Sequence, residues 1–474
     1  MANNATMNTI LGIEGYDLNS VDIDKSGRKD VTVLCLTCAE TPPSVCPVCG
    51  EKMYKHTSKT LRVSSVPING GPAIWDITIP RRRCRKCKTL WKADLPNVDE
   101  RHRLTSAAYL DITQKSLRRT FSDVADEYCM SEVTVKNIFT SFLEDNERDL
   151  RFQTPKFIGI DEIKLKKIGE VTVITDLEHH TLFDMLLGRN QQALTNYFFN
   201  LEGRDEVLWV CSDMYRPFQK PIGDAMPNAR WVIDHFHVVM KANEAVDYVR
   251  RTVQAGMTKK DRIKTKRGLA YTLKTRAKDL STDEAYKIRL CRSDVDLKPL
   301  AVAFDLKEDF FNIYDENRGS KENAQKAFAA WKETIPAGPL YEKFRELAKT
   351  VENFYEQIFN AWDCPIQISN GFTECTNRII RENNIRGRGY SFEVLRGRTL
   401  FRQSNLTQVI LKKDLGPAIP KDGPVFYYEG TFSEKEGYDE DDEYDDTFEA
   451  DEEDETDDGH IPFDPETGEI LEQP

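Results

Sequence analysis

The chain has 474 residues, 39% hydrophobic, 10% aromatic and 31% charged, with a mean hydropathy of −0.56. This balance excludes an integral membrane protein and a wholly disordered chain, and at about 100–200 residues per domain the length predicts three or so domains. The net charge of −13 hides a segregated distribution: residues 434–474 hold 21 of 79 acidic and one of 66 basic side chains, leaving residues 1–433 at +7, which permits a polyanionic partner.

No apolar run approaches the roughly 18–20 residues that span a bilayer, and the first residues lack a basic segment followed by an apolar one. A cytoplasmic, nucleoid-associated protein with no membrane partner is expected. Residues 1–100 read as short strands, such as Val31–Leu36 and Ile74–Pro80, broken by Pro, Gly and Cys. Six of the eleven cysteines form three CxxC pairs there. Cys46-Pro-Val-Cys49-Gly50 and Cys84-Arg-Lys-Cys87 stand 35 positions apart with hairpin-like sequence between. Two such turns present four thiolates to a tetrahedral, structural Zn²⁺. Cys35 and Cys38 leave three readings open: exchange with Cys46 and Cys49, a second site with a His, or core. Arg81, Arg82, Arg83, Arg85, Lys86 and Lys88 surround the second knuckle beside Trp91, either as a phosphate-neutralising patch or as a solvated hairpin.

Boundaries fall near Pro96 and Pro155, and between them Leu104–Leu150 has helical spacing. Phe121–Ala125 opens one helix, Tyr128-Cys129-Met130 fills a turn, and Ser131 caps a second. Val124, Ala125, Val135 and Ile138 form the inward set, leaving Glu132, Thr134, Lys136 and Asn137 outward. That pattern fits a helix-turn-helix placing its second helix in a major groove, and also many plain helical hairpins.

Three strands are expected across Lys156–Gly188, then a helix at Gln191–Leu201 and a strand ending at Asp213, an α/β beginning. Lys241 to about Phe359 is helical in composition, with basic clusters at Lys259-Lys260 and Lys264–Arg267. A last long helix follows Ser369-Asn370-Gly371 to about Glu382. Asp161 and Asp213 each follow an apolar run, placing them at strand ends, and Glu374 lies on that last helix. Two strand-end carboxylates and one helical carboxylate suit a pair of Mg²⁺ (or Mn²⁺) ions, although acidic strand ends are also common turn residues.

The ordered set of CxxC ribbon, helix-turn-helix, Gly159-Ile160-Asp161-Glu162, Ser212-Asp213-Met214, Asp234-His235-Phe236-His237-Val238, and Ser369-Asn370-Gly371 with Glu374, Asn377 and Arg378 resembles the DDE-type transposases of bacterial insertion sequences. The resemblance spans about Val31 to Gln408. It implies an RNase H-like catalytic domain with Asp161, Asp213 and Glu374 as catalytic, metal-holding residues. It also implies an auxiliary Asp-x-x-His motif at Asp234 and His237, and a helical insertion before Glu374. Arg378, Arg381, Arg386 and Arg388 would face DNA if that helix lines the site, with Gly387 and Gly389 allowing close approach, or else form a solvated face.

The expected architecture is a multidomain α/β protein: zinc ribbon 1–100, helix-turn-helix 101–154, RNase H-like parts 155–240 and 361–433 around an all-helical insertion 241–360, and a disordered acidic tail 434–474. The tail departs from the family pattern, either as an electrostatic brake or as a solubility aid. The implied partner is double-stranded DNA, both element ends and target, handled by at least a homodimer. A non-catalytic DNA-binding regulator and an RNase H-like nuclease without strand transfer are the rival readings.

Overall fold

The computed structural model describes residues 11–257, 268–402 and 409–411. Strands β1 (Tyr16–Asp24), β2 (Val31–Cys38), β3 (Met53–Ile68), β4 (Gly71–Cys84), β5 (Leu90–Lys92), β6 (Val98–Asp99) and β7 (Leu104–Thr105) form one sheet in the order β1-β2-β4-β3-β7-β6, with β5 on β4. Its dominant feature is the long β3–β4 hairpin, closed by Asn69-Gly70 with φ of 51° and 77°. Asn-Gly tolerates that two-residue turn, whose twist matches the strands. The sheet runs past Pro96 because β6 and β7 pair at its edge, and the helical segment starts only at Ser106. Its core gathers Ile13, Tyr16, Leu34, Leu36, Val63, Trp75 and Ile77.

Helices Ser106–Ser116, Phe121–Glu127 and Glu132–Asp149 follow, each opened by a hydroxyl cap from Thr105, Thr120 or Ser131. The turn between the last two passes through Cys129 at φ 49°. Val124, Ala125, Val135 and Ile138 are buried, whereas Glu132, Thr134, Lys136 and Asn137 are exposed. The three helices do not stand apart. Their core continues into Ile163, Val171, Leu182 and Met185 and into helix Phe392–Leu400. Buried Arg398 donates to the carbonyls of Ser116 and Arg119, and Arg396 pairs with Asp184 and Glu147. Gly397 lets that helix approach Leu143, whose side chain a Cβ would strike.

β8 (Leu150–Phe152) pairs with Val409–Leu411. The central sheet comprises β9 (Phe157–Leu165), β10 (Gly169–Asp176), β11 (Thr181–Leu187), β12 (Trp209–Ser212) and β13 (Arg230–Ile233), ordered β11-β10-β9-β12-β13. The first three run antiparallel, β12 is parallel to β9, and β13 is parallel to β12. The long helical stretch begins at His235, earlier than the composition predicted, because Asp234 caps it. Its helices share one apolar cluster with Ile158, Ile160, Ile174, Val210 and Ile233, so the stretch is built onto the sheet. The basic clusters at Lys259-Lys260 and Lys264–Arg267, residues 412–433 and the acidic tail lie outside the described residues. Among the described residues, no helix is long and apolar enough to cross a membrane.

Candidate functional site

Asp161 sits within a strand rather than at its end. β9 continues to Leu165 because residues 161–165 pair with Val173 to Gly169 of β10. On its other side β12 leaves β9 after Cys211 pairs with Gly159. Continuing that register by two residues brings Asp213 level with Asp161, and the Ser212–Ile233 pairing brings Asp234 level with Asp213. Neighbouring strands lie about 4.8 Å apart and residues at one level share a face. Asp161 thus lies within β9, and Asp213 and Asp234 follow directly on the ends of β12 and β13. Asp234 Oδ1 accepts the Phe236 N–H at 3.4 Å, and His237 stands one helical turn above it.

Glu374 arrives on helix Gly371–Gly387. Asn370, its N-cap, and Thr373, Asn377 and Asn384 fall on one face of that helix, and all are buried. Asn370 Nδ2 donates to Ile160 O at 2.9 Å, the Thr373 and Thr175 hydroxyls meet at 2.6 Å, and Asn384 Nδ2 donates to Lys166 O at 3.2 Å. Asn377 Nδ2 donates to Asp161 Oδ2 at 2.6 Å, while Asp161 Oδ1 accepts the Glu162 N–H at 2.8 Å. Gly159 allows this contact, since a Cβ there would lie 2.5 Å from Thr373 Oγ1. So held, Glu374 offers an oxygen within 4.8 Å of ligand atoms on both Asp234 and His237. The compact group is thus Asp234, His237 and Glu374, with Asp161 and Asp213 flanking it. The expected triad does not by itself form a group that tight among the described residues.

Burial pushes the Asp161 carboxyl up; the Glu162 N–H opposes this and the Asp213 charge adds to it. Burial also raises Asp213, and raises Glu374 together with the charges of Asp234 and Asp161. Glu162, pushed up to about 7 mainly by burial, lies 3.5 Å from Arg189. Asp234 Oδ2, His237 Nε2, Glu162 Oε1 and Asn377 Oδ1 are buried without a hydrogen-bond partner. Crowded carboxylates with unsatisfied acceptors are the condition that a divalent cation relieves, and the carboxylate oxygens suit Mg²⁺ or Mn²⁺. Sequence reasoning assigned no task to Asn377, Glu162 or Arg189. The polar stripe at helical spacing was the available signal for Asn377.

At the open end of the hairpin, the sulfurs of Cys46 and Cys87, Cys49 and Cys84, and Cys49 and Cys87 are each 3.5 Å apart. All four lie within 4.8 Å of one another. A tetrahedral zinc with bonds of about 2.3 Å spaces its sulfurs by about 3.8 Å, so this cage fits Zn²⁺. The Thr89 hydroxyl, 3.0 Å from Cys87 Sγ, holds that thiol down at about 6. The Glu51 backbone favours the Cys49 thiolate, but Cys87, burial and Cys84 push Cys49 up to about 12. Four thiols so close cannot all ionise without a cation. Cys35 and Cys38 are outside the cage: Cys35 Sγ is 3.4 Å from Asp22 Oδ2, and Cys38 is buried in the core of the sheet.

Of the basic residues expected to meet DNA, Arg81, Arg82 and Arg83 are half-buried along β4. Arg85 and Lys86 are exposed, Arg85 over the Tyr54 ring. Arg378, Arg381, Arg386 and Arg388 are exposed on the Glu374 helix and at its end. The missing Cβ of Gly387 admits the Tyr390 ring of the same chain. Lys136, Arg386, Arg388 and Tyr390 border one groove of about 580 Å³.

Residues 158–399 match the ISL3-type DDE family, described as transposase. Residues 42–87 match the zinc-finger of transposase IS204/IS1001/IS1096/IS1165. The transposase for insertion sequence element IS1001 of Bordetella parapertussis is 24% identical over 269 residues, 55% of this chain and 65% of that relative. The chain therefore spans just under two thirds of that relative's length.

Proposed function

The chain belongs to the ISL3-type family of DDE transposases, and from that premise we propose that it binds the terminal inverted repeats of its insertion sequence and catalyses strand cleavage and strand transfer. The observation that carries this reading is the group of Asp234, His237 and Glu374, with Asp161 and Asp213 in electrostatic reach of it and buried polar atoms there without a partner. Asp161, Asp213 and Glu374 would hold the divalent ions, with Asp234 and His237 as auxiliary groups. Bound there, Mg²⁺ or Mn²⁺ supplies activation of the attacking oxygen and charge stabilisation of the leaving one. Asn377 orients Asp161, and the backbone N–H of Tyr215, 3.0 Å from Asp213 Oδ1, orients Asp213. Water attacks the phosphodiester at the element end, forming a P–O bond as the bond to the 3′-oxygen breaks and freeing a 3′-hydroxyl; that hydroxyl then attacks a target phosphodiester in line, losing its proton as the target strand's 3′-oxygen leaves, so one centre would serve both displacements. The central sheet supports an RNase H-like reading, with the helical stretch 241–360 as its insertion.

Arg378, Arg381, Arg386 and Arg388 neutralise backbone phosphates beside the site. Thr134, Lys136 and Asn137 read a groove as part of a helix-turn-helix, and Arg81, Arg82, Arg83, Arg85 and Lys86 hold DNA at the zinc ribbon. A zinc held by Cys46, Cys49, Cys84 and Cys87 would have no position left open for chemistry and would be structural. Two element ends must be handled together, so the active species is at least a homodimer.

The deciding experiment is a Mg²⁺-dependent cleavage and joining assay on a duplex carrying the element's ends. Asp213→Ala is expected to bind that duplex and not cut it. Wild type that binds and never cuts is a regulator, and wild type that cuts without joining is a nuclease; either overturns the proposal.

A further inference from the structure

Asp161 and Asp213 stand where the sheet no longer fixes their spacing, because the β9–β12 pairing ends at Gly159 and Cys211, two residues short of both carboxylates. Each carboxylate instead takes a backbone N–H from a residue just beyond it: Asp161 Oδ1 from Glu162 at 2.8 Å, and Asp213 Oδ1 from Tyr215 at 3.0 Å. The side chains of those two residues meet at one guanidinium. Arg189 Nη1 lies 3.5 Å from Glu162 Oε2, and the guanidinium carbon lies 5.5 Å from the centre of the Tyr215 ring. Arg189 Nε also pairs with Glu170 Oε2 at 3.1 Å. Neither end of this bridge is loose. The Gly188 N–H donates to Glu170 O at 2.8 Å and Gly188 O accepts from the Thr172 hydroxyl at 2.9 Å, which ties the backbone before Arg189 to β10. Asn190, directly after it, caps the helix Gln191–Asn200. At the other end the Tyr215 ring meets buried Phe218 edge-on at 5.3 Å.

Resting on the transposase reading above, we propose that Arg189 is a positioning residue that sets the separation of Asp161 and Asp213 by gripping the side chains of the two residues whose backbone holds them. Two divalent ions that share a reacting phosphodiester stand about 3.5–4 Å apart, so the carboxylates that hold them need a fixed spacing. Arg189 supplies it from outside the metal shell, acting through Glu162 on β9 and through Tyr215 in the loop after β12. A guanidinium suits this task because its plane lies on an aromatic face while its N–H edge meets carboxylates, a combination that the compact ammonium of a lysine does not provide. Partly exposed ion pairs contribute little to stability, so the bridge matters for geometry more than for folding.

The test uses the full chain and three readouts: Mn²⁺ binding without DNA, followed by electron paramagnetic resonance of the free ion; binding of element-end duplex without divalent ions; and thermal melting. Arg189→Ala is expected to weaken Mn²⁺ binding about tenfold, the low end of the loss when a group that orients a metal ligand is removed, with duplex binding and melting close to wild type. Tyr215→Ala should show the same loss and Tyr215→Phe, which keeps the ring, should recover most of it. Because both side chains act in one bridge, the double alanine variant should lose no more than either single one; additive losses overturn the proposal. If Arg189 instead holds a DNA phosphate, Arg189→Ala will weaken duplex binding and reduce its salt slope by about 1 while Mn²⁺ affinity stays intact, which also overturns it. Should the alanine variant not fold, Arg189→Lys carries the test: weakened Mn²⁺ binding at wild-type melting supports the bridge, and wild-type Mn²⁺ binding refutes it. Wild type that binds no Mn²⁺ and does not cut sinks the underlying transposase reading. Wild type that binds Mn²⁺ and cuts, with Arg189→Ala binding Mn²⁺ equally well, sinks the bridge alone.

Discussion

Replacing Gly159 with Ala probes the joint on which the carboxylate centre depends. The added methyl would lie 2.5 Å from Thr373 Oγ1, 2.6 Å from Thr175 Oγ1 and 2.8 Å from Asn370 Oδ1. None of these atoms is free to swing away, since all three residues are fully buried and the two hydroxyls are bonded to each other. Carbon–oxygen contacts settle near about 3.3–3.6 Å, so the helix must retreat by roughly 1 Å. Overpacking of this kind costs about 1–3 kcal/mol, and loss of the Asn370–Ile160 bond leaves a buried carbonyl unsatisfied at about 1–3 kcal/mol more. Activity should suffer further, because Glu374 follows Thr373 directly and a misplacement of about 1 Å at a reacting centre costs on the order of 100-fold. Thermal melting and Mg²⁺-dependent cleavage of element-end DNA, measured on the same preparation, test both parts. An alanine variant with wild-type melting and wild-type cleavage would refute the claim that Gly159 exists to admit this helix.

Asn377→Ala removes the 2.6 Å bond to Asp161 and should weaken the Mg²⁺ dependence of cleavage by about 10–100-fold; an unchanged Mg²⁺ midpoint contradicts the positioning role. Cys84→Ser should abolish bound zinc, read by elemental analysis, whereas Cys35→Ser should keep it; zinc lost from the Cys35 variant would show that the cage is misassigned. Burial raises Asp161, Asp213 and Glu374, so the native state holds these protons more tightly than the unfolded chain, and their contribution is favourable at acid pH and lost as pH rises through the raised values. Mg²⁺ competes with the same protons, so its increment to the melting temperature should grow from acid to neutral pH; an increment independent of pH contradicts binding at these carboxylates.

The zinc cage was legible because its spacing is local, with each knuckle contributing two sulfurs from four consecutive residues. Asp213 was legible for a related reason, since the buried run before it ends where β12 ends. Asp161 misled, because its apolar run stops at Ile160 without the strand stopping. Up to residue 159 β9 is flanked by β10 and β12; beyond that only β10 continues, and burial changes from continuous to alternating. A change of neighbours had the signature of an end. The grouping of Glu374 with Asp234 and His237 had no local signature at all, because the two parts meet only after the helical stretch between them has folded. Gly387 shows a different limit: a small residue announces a close approach but not by what, and within this chain Tyr390 makes one.

That long separation does not loosen the site. The helical stretch leaves the sheet at Asp234 and returns beside its own starting point: Asn360 Nδ2 donates to Trp231 O at 3.1 Å, Arg230 pairs with Asp363 at 3.6 Å, and the Trp231 and Phe354 rings meet edge-on at 6.0 Å. Closing a flexible loop of that length would cost only a few kcal/mol, growing as about (3/2)RT ln n, but would leave its ends free to wander. Here the ends are joined by contacts with β13, and the core between them is continuous with the sheet. The position of Glu374 relative to Asp234 is therefore set by residues 230–234 and 360–370, two short segments in contact.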